Sequence, residues 1–168
     1  MELIFPTMEH KQDALDYRQE HTDYNESRIH GSAGFIHAES YDKWLEFITL
    51  AQTEVPPEFV IGTTYFAVVD GRIIGTISIR HYLNESLIKH GGHIGYGVRP
   101  TERRKGYGTK MLALALEKCR DFGIEKALVT CDKYNIGSAK TVINNAGVFE
   151  NEITEDNGNI LQRYWITV

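Results

Sequence analysis

One stretch narrows the possible folds more than any other: GGHIGYGVRPTERRKGYGTKMLALALEKC, residues 91–119. It opens as a short apolar strand and halts at Pro100. It then passes five basic side chains (Arg99, Arg103, Arg104, Lys105 and Lys110) with Gly106 and Gly108 among them, and closes in leucines at helical spacing. A chain with this segment has to bring a strand end against a helix N-terminus. Such termini carry unpaired N–H groups and about half a positive charge, so a glycine-bearing turn entering one forms a cradle for phosphate. Taken alone, the same residues also fit a solvated basic helix start.

The flanking elements follow from periodicity. LIFP (3–6) reads as a first strand, and EHKQDALDYRQEHT (9–22) and YDKWLEFITLAQTE (41–54) as helices with a polar loop between them, the second stopped by Pro56 and Pro57. TYFAVVD and RIIGTISIRHY are strands joined at Asp70-Gly71, a strong hairpin signal because both central residues of that turn need positive φ. GHIGYGVRP is the next strand, and a helix runs from Thr101 or Lys105 to Phe122, closed by Gly123. KALVTCD is a strand, NIGSAKTVINNAG a short helix, and VFENEIT with NILQRYWITV a hairpin through Asn157-Gly158. The order β, α, α, β, β, β, α, β, α, β, β predicts a right-handed parallel crossover beside antiparallel hairpins, in one domain over residues 1–168.

A net charge of −5 with 42% hydrophobic residues is the balance of an ordinary globular chain. It argues against nucleic-acid and anionic-membrane partners, which need a broad basic surface, and makes any anion site local. No apolar run approaches the roughly 18 residues of a membrane span, and MELIFPTMEH lacks a signal-peptide core, so a cytoplasmic location is expected. Cys119 and Cys131 fall in different elements and read as free buried thiols. His90 and His93 have H-x-x-H spacing but no third ligand nearby, so no metal is expected.

Two familiar phosphate motifs fail. A P-loop needs Lys before Ser or Thr, whereas GYGTK has Lys110 after Thr109; a dinucleotide fingerprint needs a third glycine, where GYGTKM has Met111 and GYGVRP has Pro100. The pattern present is R-x-x-G-x-G, as Arg103, Gly106 and Gly108, directly after the strand ending GYGVRP. This resembles the pyrophosphate motif of the GNAT superfamily of N-acetyltransferases, Q/R-x-x-G-x-G/A, which lies between the fourth strand and the following helix. DKYNIGSAKTVINNAGVFE (132–150) resembles that family's later segment, with Asn135 after the fifth strand, Ser138 three residues on and Gly147 before the sixth strand.

The resemblance implies an α/β GNAT-like fold: a mixed, mostly antiparallel central sheet of about six to seven strands flanked by helices on both faces. It also implies acetyl-CoA as acyl donor. The diphosphate would rest on the amides from Arg104 through Lys105, Gly106, Tyr107 and Gly108 to Thr109, with Arg103 beside them. Pantetheine would run along Tyr96, Gly97, Val98 and Arg99, with Asn135 and Ser138 on its other side and Lys140 near the nucleotide phosphates.

Acetyl transfer to an amine needs a neutral nucleophile, a stabilised oxyanion and a proton for the departing thiolate. Backbone N–H groups near Gly97 and Val98 are the expected oxyanion donors. His93 stands where many members carry an acidic base, and as a period-2 neighbour of Gly95 and Gly97 it is expected on their face; a hydrogen-bonded structural histidine is the alternative. Val142 stands where many members place the tyrosine that protonates the thiolate, which leaves Tyr134 and Ser138 as substitutes. Arg80, His81, Tyr82 and Asn84 mark the acceptor side, Arg80 as a carboxylate clamp, although surface solubility explains such residues about as well. Tyr24, Phe35 and Tyr41 either border that pocket or pack in the core.

The expected reaction is direct attack by a primary amine of a small molecule or peptide in a ternary complex. A non-catalytic acyl-CoA sensor is the second reading, prompted by the missing helix tyrosine. Exposed edge strands near the C-terminus allow a homodimer.

Overall fold

The computed structural model describes residues 1–168. Strands β1 (Glu2–Ile4), β2 (Gly62–Val69), β3 (Arg72–Arg80) and β4 (Ile94–Val98) form one sheet in that order. In the second sheet β7 (Ile160–Thr167) lies between β5 (Lys126–Asp132) and β6 (Val148–Thr154). The α-helices are α1 (Lys11–Asp23), α2 (Tyr41–Leu50), α3 (Tyr107–Asp121) and α4 (Ile136–Ile143).

The β2–β3 hairpin turns at Asp70-Gly71, with φ of 49° and 77°, the paired positive values that this turn demands. Its register passes from Ala67↔Gly75 to Val68↔Ile73, leaving Ile74 as an extra residue on β3. Such a bulge inverts the alternation of side chains. Ile73 therefore packs with Phe66 and Val68 beneath α1 and α2, whereas Ile77 and Ile79 pack beneath α3.

Two cores result, one on each face of the first sheet. Beneath α1 and α2, Tyr17, Phe35, Tyr41 and Trp44 close around Phe66, which gives Phe35 and Tyr41 the packing role; Tyr24 is exposed. On the other face, the stripe Met111, Leu112, Ala115, Leu116 and Cys119 of α3 meets Ile77, Ile79 and Ile94 of the first sheet together with Ala127, Val129 and Ile166 of the second. Helix α3 thus holds the two sheets together. Both cysteines are free and buried.

The expected parallel ladder across the β4–α3–β5 crossover does not form, and every ladder is antiparallel. The β4 and β5 segments meet only at their near ends, through the Gly92–Val129 bridge and the His93 N–H bond to Leu128 O (2.7 Å), and then part. The cause is local. His93 Nδ1 accepts the Leu128 N–H at 2.9 Å, so an imidazole occupies the place where a strand carbonyl would continue the ladder.

Helix α3 begins at Tyr107 rather than at Thr101 or Lys105. Pro100–Glu102 forms a separate 3-10 turn, and Arg104 and Gly106 have φ of 64° and 81°, outside the helical region. Leu87–Gly91 adds a π turn between β3 and β4.

Candidate active site

Past Ile94, β4 presents one edge to β3 and leaves the other without a ladder. Arg99 N–H bonds Ile74 O and Arg80 N–H bonds His93 O, so the odd-numbered residues of this stretch turn their peptide groups toward β3. By alternation, Tyr96 and Val98 turn theirs into the fork between β4 and β5. This corrects the expected donor pair near Gly97 and Val98. The Gly97 peptide belongs to the ladder, and Tyr96 supplies the second open N–H.

The opposite side of β4 is covered by the loop that follows α1. A Cβ on Gly97 would lie 2.7 Å from His30 O, so only glycine permits this crossing. Thr76 Oγ1 donates to His30 O (3.1 Å) and Ser78 Oγ to Gly31 O (2.9 Å), pinning the loop to β3. His93 does not lie free on the Gly95–Gly97 face as expected, because its ring is turned to the β5 backbone.

The turn before α3 carries the main feature. Six consecutive amides, Arg104 to Thr109, find no hydrogen-bond partner in the protein: the α3 ladder begins with the Lys110 N–H bond to Gly106 O, and Gly106 provides no side-chain cap. The surrounding cations are less free than their sequence suggests. Arg99 is buried and reaches Asp13 (3.2 Å) and Glu20 (3.5 Å), which removes its side chain from any role along pantetheine. Arg103 holds Glu26 with both arms of its guanidinium, at 2.5 and 2.9 Å, and bonds Val98 O through Nε (3.0 Å). Its hydrogen bonds hold Glu26 well below the usual carboxylate range. Lys105 pairs with Glu102 at 2.9 Å. Arg104 and Lys110 in the turn, and exposed Lys140 on α4, make no ion pair.

On the far side of the fork, Tyr96 OH lies 2.8 Å from Ser138 Oγ, spanning from β4 to α4. Burial pushes the Tyr96 phenol up to about 12. Asn135 is committed as the N-cap of α4, its Oδ1 accepting the Ser138 N–H at 3.0 Å. Tyr134 is exposed and its hydroxyl has no protein partner, while Val142 is buried in the core beneath α3.

His93 is buried, and burial together with the Arg80 charge pushes it down to about 4. With Nδ1 accepting the Leu128 N–H, the neutral ring carries its proton on Nε2. It then has no lone pair left with which to take a proton from an amine, which counts against the expected base role.

The acceptor-side residues divide. His81 and Tyr82, with His93, line an open cavity of about 530 Å³ that also touches Gly123 and Lys126. His81 stacks on Phe122 at 3.9 Å and bonds Thr63 at 3.0 Å. Asn84 Oδ1 accepts the Leu87 N–H (2.9 Å), which ties that side chain to the start of the π turn. Arg80 reaches Gly91 O and Gly92 O, each at 3.3 Å. Sequence reasoning missed Glu26 and the loop around His30, which act across 77 and 67 residues of chain, respectively, where no local pattern reports them.

A family model described as the acetyltransferase (GNAT) family matches residues 17–141. Among solved structures, the fold is similar to ribosomal-protein-S5-alanine acetyltransferase from Vibrio fischeri (TM-score 0.72, 16% identity, 98% of this chain and 91% of that one). It is also similar to the microcin C7 self-immunity acetyltransferase MccE in complex with acetyl-CoA and AMP (TM-score 0.70, 16% identity, 99% and 91%). A third similar structure is a variant of spermidine N-acetyltransferase from Vibrio cholerae (TM-score 0.68, 13% identity, 99% and 95%). No curated protein matches the sequence. No helix is long and apolar enough to cross a membrane.

Proposed function

The chain belongs to the GNAT family of acetyltransferases, and from that premise we propose that it moves the acetyl group of acetyl-CoA to a primary amine of a small molecule or peptide by direct attack in a ternary complex. The observation that carries the reading is the run of six unpaired amides from Arg104 to Thr109 at the mouth of the fork. These amides, with the dipole of α3 behind them, hold the diphosphate. Arg104 and Lys110 add charge from the rim. Pantetheine pairs with the open edge of β4 at Tyr96 and Val98, taking the place of the absent β5 ladder.

In the transfer, the neutral amine nitrogen attacks the thioester carbon and the C–O π electrons move onto oxygen. The Tyr96 N–H faces that oxyanion, which leaves the Val98 N–H, nearer the diphosphate turn, to pantetheine. The C–S bond then breaks, the amine proton leaves to water, and the thiolate takes a proton from the Tyr96–Ser138 hydroxyl pair. A phenol raised to about 12 by burial remains protonated at neutral pH and available to donate. Tyr134 points outward and is not needed.

The test is to mix protein and acetyl-CoA with a panel of amines and follow free thiol. Acceptor-dependent thiol release is the expected result. Tight binding of acetyl-CoA without any acceptor-dependent thiol would instead identify an acyl-CoA sensor.

A further inference from the structure

Arginines buried elsewhere in this fold meet carboxylates. Arg99 has Asp13 and Glu20, and Arg163 has Glu150 at 3.0 Å. Arg80 differs. Its guanidinium is partly buried and touches no acidic side chain, its only protein partners being the Gly91 and Gly92 carbonyls, both through one nitrogen. Its other two donor nitrogens have no partner and are not sealed from solvent. Burial pulls its pKa down, the sign of a cation whose lost hydration is not repaid by a neighbour.

The position is specific. Both terminal nitrogens lie within 3.6 Å of the point where a Cβ on Gly95 would stand, and Gly31 of the covering loop approaches the same point. Gly95 immediately precedes Tyr96, whose N–H opens into the fork. An unneutralised cation thus lies beside this end of β4, and the imidazole of His93, whose pKa is pushed down in part by the Arg80 charge, is neutral. Such a setting repels a second ammonium and attracts an anion, and a guanidinium with two open donors matches the fork of a carboxylate.

Resting on the acetyl-transfer reading above, we propose that Arg80 anchors a carboxylate of the acceptor, so that the substrate class is an amine that also carries a carboxylate, such as a free amino acid, and not a polyamine. The anchor fixes the acceptor from the β3 side while its amine faces the thioester along β4.

The experiment compares free amino acids with their own carboxamides, with putrescine as the polyamine, in the thiol-release assay. For the wild-type protein kcat/KM should favour the carboxylate over its amide by about 10- to 100-fold, the range set by one charge-assisted interaction. Arg80→Met should abolish that preference while leaving the KM for acetyl-CoA in place. Arg80→Lys, which keeps the charge but loses the fork, should retain part of it. In parallel, N-acetyl amino acids and their amides are titrated calorimetrically into protein saturated with coenzyme A, which reads the anchor without turnover and without any variant. Equal use of amide and acid, or a preference for putrescine, overturns the anchor even if transfer is brisk. A binding preference for the carboxylate with no thiol release from any acceptor retains the anchor and overturns acetyl transfer. Equal binding of both product forms in the absence of turnover overturns the anchor and leaves Arg80 as a staple of the Gly91–Gly92 turn.

Discussion

At the scale of single residues, His93 shows how a partner decides a side chain's chemistry. Its folded-state pKa lies near 4, below the ordinary 6.5, so the unfolded chain takes up the proton first as pH falls. Its contribution to stability is therefore complete above about pH 6.5 and lost progressively toward pH 4, on the order of 3 kcal/mol in all. His21, His30 and His81 are shifted in the same direction, chiefly by burial, and steepen the loss. His93→Gln offers an amide oxygen to the Leu128 N–H without a titratable group, so its stability should fall less between pH 6.5 and 4. Urea unfolding of both proteins across that range provides the check, and an identical slope would remove His93 from the account. Because Nδ1 is already engaged, the same variant should leave the acidic limb of kcat/KM where it is; disappearance of that limb would restore the base role.

Among elements, the turn into α3 separates two kinds of basic residue. Arg104 is unpaired and borders the open amides, so Arg104→Glu should raise the KM for acetyl-CoA by about five- to tenfold with little change in kcat. Arg103→Ala should behave differently. It releases Glu26 and with it the hydrogen bond that His21 Nδ1–H donates to that carboxylate (2.7 Å), so the variant should lose thermal stability as well as cofactor affinity. Glu26→Gln should share the stability loss and keep the affinity; melting curves with and without coenzyme A distinguish the two effects. The contrast also marks what local pattern can convey. The strands at 126–132 and 148–154, the Asp70-Gly71 turn and the amide cradle follow from alternation, turn chemistry and glycine spacing, all of which act over a few residues. The commitments of Arg103, Arg99 and His93 rest on partners 77, 86 and 35 residues away, and the extra residue at Ile74 that reverses the faces of β3 leaves no mark in an apolar run.

For the whole molecule, the two sheets depend on α3, on the short junction at Gly92 and His93, and on the Tyr96–Ser138 contact. A ligand lying along the fork would tie β4 to the α4 side, and by mass action coenzyme A at one hundred times its Kd should add about 2.7 kcal/mol to stability, or about 5–10 °C in Tm for a chain of this size. A thermal melt with and without coenzyme A measures it, and an unchanged Tm at saturating ligand would contradict binding in the fork. Leu112, fully buried in the α3 stripe, is the complementary probe. Leu112→Ala should cost about 2–5 kcal/mol by denaturant unfolding.

The imidazole that stands in for a strand carbonyl has one more consequence. In most sheets the spacing between neighbouring strands is dictated by the peptide backbone and is the same for every sequence. Where β4 and β5 begin to part, the spacer is instead a side chain, and side chains can be exchanged. A shorter or longer acceptor at position 93 would reset the angle of divergence while leaving every ladder intact, so the width of the fork becomes adjustable at a single codon.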